Sequence, residues 1–252
     1  MKQWINRITW ALLFYLVFLI ATLPAYLVVS RIQLDKNIQL GNVSGTIWSG
    51  KIDTVKVDKT LVKDVTWDVN FAQLLAARFA VDIEFGSPRK NLEPQGSSQL
   101  RYGLNGASVA DLQIKLPADL IAQQINLPFK VQAAGLVDAN ISTMQLGEPV
   151  CQALDGQINW KLAAVNLIEM KTNFSYGDIK ANLSCDENGA ALAKILGNPE
   201  LLRLDIDAKL TSFSSYSVNG FISAGSNASQ DLRNALSYLG KADSQGRYSI
   251  KF

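Results

Sequence analysis

Along most of this chain apolar and polar residues alternate, and only the first thirty residues break that rule. Asp64–Phe71 sets Val65, Trp67, Val69 and Phe71 against Thr66, Asp68 and Asn70. A period of two marks a strand with one buried face. Phe79–Phe85 repeats it, with Val81 and Ile83 against Asp82 and Glu84. The cleanest case is Leu201–Leu210: Leu202, Leu204, Ile206, Ala208 and Leu210 face inward, and Arg203, Asp205, Asp207 and Lys209 face outward. Further strands are predicted at 51–59, 100–104, 107–116, 129–134, 136–144, 156–163, 217–223 and 247–252. Two more lie within Asn173–Cys185, divided at Tyr176-Gly177-Asp178.

A few segments lack that period. Ala72–Arg78, the stretch after Pro117 as far as Leu127-Pro128, and Ala190–Leu196 read as short helices, and Ala164–Met170 as ambiguous or helical. Ser229 caps another, with Leu232, Ala235, Leu236 and Leu239 at helical spacing and Gly240 as its stop. Gly86–Ser98 is the most loop-like stretch, and Gly41–Gly50 a glycine-punctuated entry into the sheet.

Trp10–Val29 is apolar all round: only Thr22 and Pro24 interrupt it, and it carries no charge. A twenty-residue helix rises about 30 Å, the hydrocarbon thickness of a bilayer. The run is longer than the apolar region of a cleaved signal, and its cleavage ends are poor, with Leu23 before Ala25 and Val28 before Ser30 at the minus-three positions. A retained membrane anchor is therefore expected, with Trp10, Phe14, Phe18, Pro24 and Tyr26 among its residues. Lys2 and Arg7 precede it, while Arg31 and Lys36 follow with Asp35, so the charge asymmetry leans toward an inside amino terminus. The expected fold is mainly β: a transmembrane helix, then an elongated, curved, mostly antiparallel sheet with a few short helices. Residues 1–9 form the inner tail, 10–30 the anchor, 31–146 a first β half and 147–252 a second.

Composition narrows the chemistry. The 252-residue chain has a net charge of +2 with no basic block, which argues against a nucleic-acid partner. It has no histidine, so His-based triads and His metal sites are excluded. Asp205 and Asp207 share a face but alternate with Arg203 and Lys209, the pattern of a solvated, charge-balanced surface. No glycine cluster matches a phosphate or dinucleotide loop, and no serine sits in a nucleophile elbow. No catalytic residue, cofactor or metal ligand is predicted, and the protein reads as non-enzymatic. Asn42, Asn140 and Asn182 begin Asn-x-Ser triplets, which alternating polar residues generate by chance.

Trp67 and Trp160 each have paired aliphatic residues seven and eight positions on (Leu74-Leu75; Leu167-Ile168), with Gly50 and Gly156 upstream. Either this is a strand–helix–strand repeat, or two half-buried strands look alike. Cys151 and Cys185 form no CxxC pair. Joined, they would close a loop worth about 3–4 kcal/mol; the alternative is two separately buried thiols. An oxidising location outside the cytoplasm favours the disulfide.

Gly45-Thr46-Ile47-Trp48-Ser49-Gly50 after a single anchor, Leu116-Pro117-Ala118 with Leu127-Pro128, Cys151…Leu154-x-Gly156…Trp160, and Leu239-Gly240…Asp243…Gly246-Arg247-Tyr248 follow one another in an order that resembles the type II secretion system protein N family, also called general secretion pathway protein N. The second cysteine fits the pairing that the resemblance implies. It also implies a single-pass inner-membrane protein with a periplasmic domain. Its partners would be other type II secretion components: the inner-membrane platform, protein C or the secretin. The strands are more distantly similar to AsmA-like proteins, which implies a lipid-binding or lipid-bridging module as the alternative. If the short helices cap Trp67, Val69, Ile83, Leu204 and Ile206, the secretion-component reading gains. If these residues line an open channel toward the anchor, the lipid reading gains.

Overall fold

The computed structural model describes residues 2–75, 78–87, 93–103, 106–124, 131–168 and 172–252. Helix α1 spans Lys2–Ala21. Its window Trp4–Ala21 has a mean hydropathy of 1.7 and is entirely unburied, making it long and apolar enough to cross a membrane. The single helix expected over Trp10–Val29 is instead two. Proline disfavours helical geometry in the residue before it. The chain accordingly leaves α1 at Thr22-Leu23 and re-enters a helix, α2 (Ala25–Val29), with Pro24 as its N-cap residue. Pro24 also pairs with Thr46 in an isolated bridge, and Ala25 is buried. Trp10, Phe14 and Phe18 thus lie on the free helix, whereas Pro24 and Tyr26 belong to the domain end.

Fourteen strands form one sheet: β1 (Ile38–Leu40), β2 (Val43–Gly45), β3 (Ser49–Val57), β4 (Thr60–Val69), β5 (Phe79–Phe85), β6 (Gln95–Gly103), β7 (Gly106–Pro117), β8 (Val131–Leu146), β9 (Cys151–Leu167), β10 (Thr172–Cys185), β11 (Ala191–Asn198), β12 (Leu202–Ser212), β13 (Ser215–Ala224) and β14 (Tyr248–Lys251). From β3 onward each strand pairs antiparallel with the next, while β1 and β2 both pair with β3. Neighbouring strands lie about 4.8 Å apart, so the sheet extends roughly 60 Å across its strands.

The register produces two opposite faces. One line of pairings runs Phe85, Gly96, Ile114, Ala139, Ile158, Ala181, Ile195, Ile206, Gly220 and Ile250, with no charge from β5 to β14. The line beside it, on the other face, runs Gln113, Asn140, Gln157, Asn182, Lys194, Asp207, Asn219 and Lys251. The sheet also curls. The β3–β4 turn reaches past β5 and β6 to helix α4 (Ala118–Ala122) at the end of β7. There Lys59 Nζ donates to the Gln123 carbonyl at 3.2 Å, and Gln124 Nε2 to Thr60 Oγ1 at 2.9 Å.

The longest strands share a crease. Gly135 on β8 (φ 95°), Leu162 on β9 (φ 51°) and Gly177 on β10 (φ 72°) all adopt left-handed backbone, and the pairing registers shift there. Each marks a β-bulge, which bends a strand without ending it. The two strands expected on either side of Gly135 are therefore the single strand β8, and the two expected around Gly177 are the single strand β10. Phe129 and Leu127-Pro128 lie outside the described residues.

Two expected helices are strands. Ala190–Leu196 is largely β11: Ala191, Ala193 and Ile195 pair with Leu210, Ala208 and Ile206, and pairing on both sides overrides the helix propensity of alanine and leucine. The expected helix at Ala164–Met170 is the continuation of β9 through Leu167; Glu169 and Met170 lie outside the described residues. The loop expected over Gly86–Ser98 ends earlier than predicted, since β6 starts at Gln95. Gln-Gly-Ser-Ser carries no alternation, but β5 and β7 impose strand geometry from either side. A Cβ on Gly96 would overlap the Phe85 ring and the Gln113 carbonyl. The remaining helices fall where predicted, α3 at Phe71–Leu75, α4 after Pro117 and α5 at Gln230–Ser237; Ala76 and Ala77 are outside the described residues. Ser229 Oγ accepts from the Leu232 amide at 3.2 Å, as an N-cap does. Leu232 and Leu236 then pack on Phe174 and Leu202 to form a buried cluster.

Candidate functional site

The structure gathers Gly45, Trp48, Gly50 and Trp67 into one junction between α1 and the sheet. Gly45 (φ 87°) begins the β2–β3 turn, and a side chain there would strike Gly50. Trp48 Nε1 donates to the Ile20 carbonyl in the last turn of α1 at 2.9 Å. The Ile47 amide donates to the Leu23 carbonyl at 3.1 Å, and Trp67 Nε1 donates to the Ile47 carbonyl at 3.2 Å. Trp67 lies over Gly50, its partner in register, and a Cβ on Gly50 would overlap the indole. The Trp48 bond gives the Ile20 carbonyl, in the last turn of α1, a second donor beside the Leu23 amide at 3.4 Å.

Gly156 and Trp160 make no second copy of this arrangement. Gly156 packs against Ile141, while the Trp160 indole donates to the Ala134 carbonyl at 2.9 Å and meets Tyr176 edge-on at 6.5 Å. With β9 continuing where a second short helix was expected, the strand–helix–strand repeat does not hold. The likeness is that of two half-buried strands.

Cys151 and Cys185 are joined, with Sγ atoms 2.14 Å apart and Cα atoms 6.2 Å apart. The bond fastens the start of β9 to the end of β10. Beside it, the Val150 and Cys151 amides both donate to the Gly189 carbonyl, at 3.1 and 3.0 Å. Two turns at that end of the sheet are thus tied together.

The apolar face is covered at its ends. Val69 and Ile206 are buried, Leu204 packs on the cluster under α5, and Trp67 and Ile83 pair side by side. Between them Ile114, Ala139, Ile158, Ala181 and Ile195 are only half-buried. The face is neither fully capped nor a fully open channel.

On the polar face one lysine sits between two carboxylates. Lys194 lies 2.5 Å from Asp205 and 3.0 Å from Asp207; the hydrogen bond to Asp205, then that to Asp207, raises its pKa. The two aspartates therefore serve a cation and not an acid–base pair. Asp138 escaped the sequence reading, although a lone acid between Val137 and Ala139 marks a polar-face position. It is buried, accepting from Lys161 Nζ at 3.1 Å and Asn140 Nδ2 at 2.9 Å. It lines a recess of about 860 Å³ along the crease with Glu84, Lys115, Lys161 and Leu162. Among the described residues no group of three or more Cys, Asp or Glu side chains could hold a metal ion.

An apolar helix able to span a membrane, joined by a hydrogen-bonded junction to one long antiparallel sheet, defines a class of single-sheet β proteins with a candidate anchor. The sequence profile described as Type II secretion system (T2SS), protein N matches residues 36–251, and the chain belongs to that family. A relative from Aeromonas hydrophila called Type II secretion system protein N is 28% identical over 256 residues, covering 100% of this chain and 98% of the relative. Proteins of the same name from Vibrio cholerae serotype O1 and Klebsiella pneumoniae are each 25% identical; they cover 90% and 96% of this chain, and 88% and 93% of their own lengths. No solved structure matches it.

Proposed function

We propose that this chain is a non-enzymatic inner-membrane component of the type II protein secretion system. In this reading α1 spans the inner membrane, the sheet lies in the periplasm, and the protein assists assembly or function of the apparatus that exports folded proteins. The observation that carries it is the family match over nearly the whole sheet, together with an anchor helix bonded to that sheet through Trp48 and Ile47. The Cys151–Cys185 bond suits a periplasmic location. The working surfaces are the sheet edges at β1–β2 and β14, whose outer backbone groups can accept an added strand. Candidate partners are the inner-membrane platform, protein C and the secretin.

Deletion of the gene tests this. Secreted enzymes are expected to accumulate in the periplasm, with release restored by the full chain but not by residues 31–252 exported behind a cleaved signal. Normal secretion in a strain with no redundant factor would overturn the reading. Photocrosslinkers on β1 and β14 identify the partner. The half-buried row from Ile114 to Ile195 supports a second reading, an AsmA-like lipid-binding or lipid-bridging module. Phospholipid co-purifying with the wild-type chain, and lost on Ile158→Asn, would favour it.

A further inference from the structure

We propose that the end of the sheet at which α1 enters is a second membrane-contact surface: an aromatic rim seated at the headgroup level of the bilayer. This rests on reading α1 as a membrane span. Every described large apolar side chain of α1 is exposed to solvent, so the helix projects away from the sheet instead of packing along it. Its last turn then marks the bilayer surface. The described apolar window of eighteen residues is about 27 Å long, which places Ile20 near one edge of the hydrocarbon.

Contacts, a backbone bond and a strand pairing lead outward from Ile20 on that level. Trp48 bonds the Ile20 carbonyl at 2.9 Å. Phe71 lies against Trp48 with ring centroids 5.4 Å apart and ring planes tilted by 43°. The Asn70 amide bonds the Ala80 carbonyl at 2.9 Å, which brings the start of β5 beside Phe71. Phe79 is the register partner of Tyr102 on β6. Phe71, Phe79 and Tyr102 keep 56%, 43% and 65% of their surface exposed, and Tyr26 on α2 keeps 56%. Exposed aromatics this close together are unusual on a water-facing surface, and they are the residues that line membrane–water interfaces. Arg78, also exposed, adjoins Phe79 and supplies a cation for anionic headgroups.

The occupant is the membrane because the tether leaves no room for another. Only Thr22 and Leu23 separate α1 from the Pro24–Thr46 bridge, so the rim cannot swing away from the surface that α1 crosses. The rim would hold the sheet in a fixed attitude to the bilayer, with β1–β6 near the membrane.

The test uses the full chain in nanodiscs of phosphatidylethanolamine and phosphatidylglycerol. An environment-sensitive fluorophore is attached at Ala72→Cys or Ala107→Cys on the rim, at Lys56→Cys at the opposite end of β3, or at Phe14→Cys within α1. The two rim labels are expected to be blue-shifted and quenched by a headgroup nitroxide lipid. The Lys56→Cys label is expected to show neither effect, and the Phe14→Cys label to be quenched by a mid-chain nitroxide. Unquenched rim labels beside a quenched Phe14→Cys label would overturn the rim and leave the span standing. An unquenched Phe14→Cys label would overturn the span itself, and with it the placement of the rim. Adding Phe71→Ser and Tyr102→Ser is expected to abolish rim quenching. Persistence of full quenching would show that tethering alone brings the sheet close, which also overturns the proposal.

Discussion

Removing the Cys151–Cys185 bond should cost this protein about 4 kcal/mol. The two residues are 34 apart in sequence. In the chain-entropy treatment a closed loop of that length lowers the entropy of the unfolded chain by about 12.6 cal/mol/K, or about 3.8 kcal/mol at 25 °C. In a sheet domain of this size each kcal/mol shifts the melting temperature by about 2–4 °C, so the expected fall is about 10 °C. The assay is thermal unfolding of the detergent-solubilised chain, followed by near-ultraviolet circular dichroism. Three samples are compared: wild type, wild type held reduced, and Cys151→Ala/Cys185→Ala. Reduced wild type isolates the cross-link, because the buried sulfur of Cys151 stays in place; the double variant adds the lost packing. The melting temperature is expected to fall in both, and further in the double variant. A drop of less than about 3 °C in reduced wild type would refute the entropic account. It would mean that the paired turns at Val150–Cys151 and Gly189 hold the corner unaided.

Gly50→Ala is expected to destabilise by about 2–3 kcal/mol through overpacking against the Trp67 indole and the Ser44 carbonyl; in denaturant unfolding, a Trp67→Leu background should recover only the indole's share of that cost, because the Ser44 backbone oxygen stays in place. Leu162→Gly is expected to raise stability by about 1 kcal/mol, because the exposed Leu162 sits at φ 51° and buries little. Loss of stability in the same unfolding assay would show that its side chain contributes packing after all. Asp186 accepts from Lys209 at 2.6 Å and from the Ala190 and Asn188 amides, and these bonds, led by that from Lys209, hold its carboxyl below the ordinary 3.8. A carboxyl lowered in the folded state stabilises fully above its unfolded value and loses that contribution as pH falls through its folded one. Melting temperatures recorded downward from about pH 5 are thus expected to fall less steeply below pH 3.8 in Asp186→Asn than in wild type.

The sheet was legible in the sequence wherever side-chain alternation was unbroken. Leu202–Leu210 and Asp64–Val69 read correctly because one face had to be buried, whereas Phe71, read as the next inward strand residue, opens α3 and is exposed. The errors cluster where strand geometry comes from neighbours and not from the segment itself. Gln95–Ser98 has almost no apolar side chain, and Ala191–Leu196 has the composition of a helix, yet both lie between two strands that pair with them. Gly135 and Gly177 looked like turns because glycine marks both turns and bulges, and only the partner strand distinguishes the two. The junction was half legible. Gly45, Trp48 and Gly50 stood out as a motif, but nothing local shows that Trp48 bonds the carbonyl of Ile20, twenty-eight residues earlier. For the same reason, Pro24 read as one more residue of the anchor when it pairs with Thr46 beside the sheet.

From β3 onward every strand pairs with the one made just before it, so no stretch of the chain waits for a distant segment before it can fold. The closing entropy of each step is that of one local connection, the longest being residues 225–247 with α5 between β13 and β14, which makes ordering fast and sequential. Such a sheet behaves as a one-dimensional stack, in which stability is close to a sum over neighbouring strands. Shortening it from the β14 end should therefore leave the β3–β8 region and its bond to α1 intact. The far edge can vary in length and register without disturbing the end that meets α1.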